Sequence, residues 1–104
     1  CFAEVKNVTL KVGKYALFPD AVTLRGQKHL KTLMEVKKAG MRAIMLYIVQ
    51  RSDTDVFAPA ESIDPANAAA LREAYDAGVE VIALQAVLSP QGIELRRKLP
   101  VELE

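Results

Sequence analysis

Apolar and polar residues alternate through FAEVKNVTL, with β-branched side chains among them, and the run meets a turn signal at Gly13 before a second apolar stretch, YALF. Period-two alternation around a glycine turn predicts a strand pair. Pro19 ends it. Thr23 can then cap a helix running through about Lys38, with Leu30, Leu33 and Met34 as its apolar face and Gly40 as its stop. MRAIMLYIVQ is almost continuously apolar, the pattern of a strand covered on both faces. RSDTDVFAPAES reads as a loop, after which Asp64 and Pro65 form a cap and first helical residue for a second helix ending before Gly78. VEVIALQAVL, a turn over Ser89 to Gly92, and IELRRKL complete a second strand pair.

Twice a helix ends in Ala-Gly and feeds an apolar strand, in VKKAGMRAIML and again in AYDAGVEVIAL. Such joints build α/β layers, so the expected fold is α/β, a mixed β-sheet flanked by two main helices. The 104 residues suit one domain of ordinary globular composition, 51% hydrophobic and 26% charged, which argues against disorder. The apolar run AIMLYIVQ is far shorter than the roughly 20 residues that cross a bilayer, so no membrane partner is expected. The lone cysteine, Cys1, excludes an intrachain disulfide, and no charged-then-apolar leader pattern is read, which makes the cytoplasm the expected location.

The net charge of +1 hides an asymmetry. Residues 1–42 hold nine Lys or Arg against three acids, net +6, whereas residues 43–104 hold five against ten, net −5. A basic front half suits a polyanion binder, although solvated surfaces also carry such blocks.

Glu4 and Lys6 lie two apart in the first strand and so emerge on one face. A carboxylate can help hold Mg²⁺, and a nearby lysine can orient or deprotonate an attacking water and offset phosphate charge. Such a site normally needs a second carboxylate from another strand, and only three residues precede Glu4. Alternating Glu and Lys are also common on the wet face of an antiparallel strand, so the tripeptide alone does not specify chemistry. Asp20, after Pro19, is a turn aspartate or a site residue. Arg25, Lys28, His29 and Thr32 share a helical stripe opposite the apolar face, expected to point outward or into a groove as a solvated basic surface or a row of phosphate contacts. His29 has no Cys or His at ligand spacing, which argues against zinc. Gly26 marks either a close backbone approach or a frayed first turn. Cys1 and the serines show no positioned base, and no Gly-rich phosphate loop is present.

Together EVKNVTL, FPDAVTLRGQKHL, RAIMLYIVQR, FAPAESIDP, AGVEVIALQAVLSPQGIEL and LPVEL resemble the C-terminal domain of the bacterial sugar fermentation stimulation protein A family, over nearly the whole chain. The resemblance implies a domain similar to the PD-(D/E)xK nuclease fold. Residues 1–104 would be a fragment of it, with an N-terminal OB-like domain and the domain's first strands lying outside. Glu4 and Lys6 would then be the acid and lysine of a split (D/E)xK site, with Glu4 the metal ligand present and a further aspartate on the strand before Cys1. Asp20, Arg25, Lys28 and His29 fall within the family string and become functional candidates. The family is described as DNA-binding and as regulating sugar, notably maltose, metabolism.

Two functions follow as expectations. In the first the chain binds DNA, with Lys6, Arg25, Lys28 and His29 on phosphate; in the second it belongs to a Mg²⁺-dependent nuclease in which this piece alone is inactive. An unpaired sheet edge is also expected, and with it a homodimer or strand exchange.

Overall fold

In the computed structural model, which describes residues 1–103, the order is β1 (Phe2–Val8), β2 (Leu10–Val12), β3 (Tyr15–Phe18), α1 (Leu24–Lys38), β4 (Ala43–Val49), β5 (Val56–Pro59), α2 (Pro65–Asp76), β6 (Glu80–Ser89) and β7 (Gly92–Leu99). Two sheets form, β1-β4-β6-β7 and β2-β3-β5. The expected α/β class with two flanking helices holds, and the mixed character is clear: β1, β4 and β6 run parallel while β7 returns antiparallel to β6.

Three local expectations change. The sequence FAEVKNVTL does not pair as a unit with YALF: β1 lies parallel to β4, Glu4 opposite Met45 and Lys6 opposite Tyr47, and only β2 folds back on β3 around Gly13. RSDTDVFAPAES is not all loop, because Val56–Pro59 forms β5 parallel to β3. Its four residues are too few for periodicity to reveal, and Pro59 argues against a strand except at its end. The third change concerns β4, which is fully covered on one face only. Ala43, Met45, Tyr47 and Val49 are buried, while Ile44, Leu46 and Ile48 on the other face remain half-buried.

The inner face of the large sheet receives Leu30 and Leu33 of α1 and Leu71 and Ala74 of α2. Tyr47 joins this core to the small sheet, stacking on Phe57 at 4.3 Å between ring centroids and meeting Phe18 at 5.5 Å. Burial pushes the Tyr47 hydroxyl's pKa well above the ordinary phenol range, so it stays neutral.

Both helices begin and end by the same devices. Thr23 Oγ1 accepts from Gly26 N–H at 3.0 Å, and Asp64 Oδ1 accepts from Asn67 N–H at 3.0 Å. Gly40 and Gly78, with φ of +87° and +100°, take the left-handed turn that stops each helix; the N–H groups of Met41 and Val79 return to the carbonyls of Val36 and Ala74. No helix among the described residues is long and apolar enough to cross a membrane.

Candidate functional site

β1 is an edge strand, and its inner face runs from the core into the open. Val8 is buried, whereas Lys6 and Glu4 are half-buried. α1 packs across β1 and β4 with Leu30 in the core, which sets the preceding residue, His29, over the polar end of β1.

Lys6 Nζ lies 2.7 Å from His29 Nδ1, and Glu4 Oε2 lies 3.6 Å from the same nitrogen. A lysine ammonium has donors only, so His29 Nδ1 is the acceptor. The acid and the lysine paired in the sequence thus meet a histidine 23 residues beyond Lys6. The side chains of His29 and Glu4 are 23% and 27% exposed, open enough for a ligand and enclosed enough to be held.

The basic stripe of α1 is divided. His29 turns onto β1, while Arg25 and Lys28 stay exposed and form no ion pair or side-chain hydrogen bond among the described residues. Thr32 spends its hydroxyl on the Lys28 carbonyl at 3.1 Å. Asp20 is exposed at the bend after the cis Phe18–Pro19 bond and makes no ion pair among the described residues, so nothing ties it to Glu4. Cys1 is exposed and free.

Sequence reasoning missed how the start of α1 is held. Asp64 is almost fully buried; besides capping α2, its Oδ2 accepts from Thr23 N–H at 2.9 Å, so one carboxylate anchors both helix starts. The Asp-Pro signal revealed the first bond but not the second, 41 residues away. Gly26 is buried because α1 passes close to α2: a Cβ there would stand 2.8 Å from Thr23 Cγ2 and 3.0 Å from Asn67 Nδ2. Close approach, not fraying, explains this glycine.

As a metal centre the described residues are incomplete. No three His, Cys, Asp or Glu side chains converge among them, and Glu4 is the one carboxylate at the site. Mg²⁺ takes oxygen ligands, so the chain fits as the donor of one ligand to such an ion and not as its whole cage.

The architecture is that of an α/β domain consistent with a nuclease-like fold, with an acid, a lysine and a histidine gathered at a sheet edge. The chain belongs to the sugar fermentation stimulation protein family: the model for the "Sugar fermentation stimulation protein RE domain" matches residues 1–92. It is 53% identical over 103 residues to a sugar fermentation stimulation protein homolog of Pelobacter propionicus, covering 99% of this chain and 45% of that one. A homolog from Geobacter sulfurreducens is 54% identical over 101 residues, covering 97% and 44%. Among solved structures, Pyrococcus furiosus SfsA in complex with Ca²⁺ matches with a TM-score of 0.89 and 38% identity, over 96% of this chain and 44% of that one. The chain therefore spans less than half the length of these relatives.

Proposed function

We propose that this chain binds DNA through its phosphates, using Arg25, Lys28, Lys6 and His29. The observation that carries the reading is the placement of Arg25 and Lys28. Both lie in the first turns of α1, neither is paired within the described residues, and no acidic residue shares the first turn. The positive end of the helix dipole disfavours a cation in the first turn, by about 0.3–1 kcal/mol when exposed, which applies to Arg25, while Lys28 lies one turn further on. A phosphate would meet both cations on the exposed side of a helix start whose inner side the Asp64 carboxylate already holds. The regulatory role in sugar, notably maltose, metabolism described for the family would follow from where on DNA the protein sits.

A second reading, phosphodiester hydrolysis, is favoured by the similarity to Pyrococcus furiosus SfsA, whose structure is a complex with Ca²⁺. In it Glu4 contributes one carboxylate to a divalent ion, Lys6 helps activate the water that attacks phosphorus in line, and a further carboxylate comes from outside residues 1–104. Titrating the full-length protein that contains residues 1–104 with Mg²⁺ and Mn²⁺ on labelled duplex DNA, recording binding and cleavage together, separates the readings. Binding without cleavage at any metal concentration supports the first. Metal-dependent cleavage that disappears in Glu4→Ala establishes the second, and neither binding nor cleavage overturns both.

We extend the proposal to self-association. β1 leaves one backbone edge unpaired, and Val5 on its outer face is 54% exposed beside the half-buried Ile44, Leu46 and Ile48. Such an edge pairs readily with a second copy. Light scattering coupled to sizing should return twice the chain mass; the monomer mass would contradict it.

A further inference from the structure

The DNA-binding reading puts phosphate against His29, yet the structure gives its Nδ1 another occupation. Lys6 has three N–H donors and a flexible four-carbon stem, and an exposed lysine ordinarily samples many rotamers. Here the ammonium is 2.7 Å from His29 Nδ1, and no ion pair joins it to Glu4, its neighbour on the same face of β1. His29 in turn is fixed from behind: Leu30 is in the core, and the start of α1 is anchored through Thr23 to buried Asp64.

We infer that His29 is a positioning residue for Lys6, accepting its ammonium at Nδ1 and holding it beside Glu4 so that its remaining N–H donors face an incoming phosphate. With Nδ1 accepting, a neutral ring carries its proton on Nε2, on the side away from Lys6. His29 then acts on the polyanion chiefly through Lys6. The functional half of this inference rests on the DNA-binding reading; the geometric half does not.

The test uses Lys6→Met, His29→Phe, their double variant and His29→Asn, whose side-chain oxygen can stand near the position of Nδ1. The first readout needs no ligand: proton exchange of the Lys6 ammonium, followed by NMR on ¹⁵N-lysine-labelled protein. Exchange should be slowed in the wild type and in His29→Asn and fast in His29→Phe. Equally fast exchange in the wild type would overturn the positioning role whatever the protein binds.

The second readout is the salt dependence of binding to duplex DNA. Lys6→Met should lower the slope of log affinity against log salt by about one, as loss of one phosphate contact does. His29→Phe should lower it by a similar amount, the double variant no further, and His29→Asn should restore it. Additive losses without rescue by asparagine would make His29 an independent phosphate contact and overturn the inference. Slow Lys6 exchange with no DNA binding in any form would overturn the DNA reading and leave the geometry standing.

Discussion

α1 and α2 are built alike and charged differently. Each starts with a side-chain oxygen on the N–H three residues ahead, and each stops at a left-handed glycine leading into an inner strand. Yet α1 carries five Lys or Arg against one acid, and α2 carries one against two. The caps and joints suffice to make a helix, so the fold does not call for the cations of α1. Lys37 and Lys38 are explained by the dipole, since they occupy the last turn, where positive charge is favoured. Arg25 occupies the wrong end for stability and Lys28, one turn on, gains nothing from the dipole or from a partner among the described residues, which is the reason for giving them a ligand.

The most severe way to break the likeness between the helices is to remove the group they share. Asp64→Ala leaves the N–H groups of Thr23 and Asn67 without their acceptor, the first half-buried and the second buried. The expected loss is about 2–4 kcal/mol, a lost cap plus buried unsatisfied donors, read as a lower denaturant midpoint at unchanged slope. Gly26→Ala should also destabilise, by about 1–3 kcal/mol, although alanine is the better helix former by up to about 1 kcal/mol. The new Cβ meets Thr23 and Asn67, and the same denaturation experiment shows which effect wins. Thr23→Ala, which touches the cap of α1 alone, should cost about 1 kcal/mol.

Arg25→Ala with Lys28→Ala sharpens the contrast in charge. The change should leave stability within about 0.5 kcal/mol, or raise it slightly, because exposed unpaired cations leave a helix N-terminus. Away from both helices, Arg51 holds the Asp53 carboxyl well below the usual carboxylate range through paired hydrogen bonds of 2.8 Å. A depressed folded-state pKa contributes stability above the ordinary carboxylate pKa, and that contribution is lost as pH falls through the folded value. Arg51→Ala should therefore lower stability slightly at neutral pH and by less at strongly acid pH, where only its bond to the Thr9 carbonyl is lost. Thermal melts across that range give the smallest of these effects.

What could be read in the sequence was local. Thr23, Asp64 with Pro65, and the two Ala-Gly joints mark helix ends because their partners lie within one turn. The β6–β7 pair was legible for the same reason, through its short turn. The parallel pairing of β1 with β4, the second bond of Asp64, and the Lys6–His29 contact were not. Each joins residues 23 or more apart, and periodicity records which face a side chain takes without saying what covers it. The spacing of Arg25, Lys28, His29 and Thr32 places the stripe opposite the apolar face; only the position of β1 decides that His29 turns inward.

The central claim, that the start of α1 is charged for a polyanion, is tested most directly by binding duplex DNA across a range of salt, with the wild type beside the Arg25→Ala, Lys28→Ala double variant. Affinity should fall steeply with salt in the wild type, with a slope lower by about two in the variant and stability preserved. Affinity insensitive to salt, or the same slope in both proteins, would contradict it.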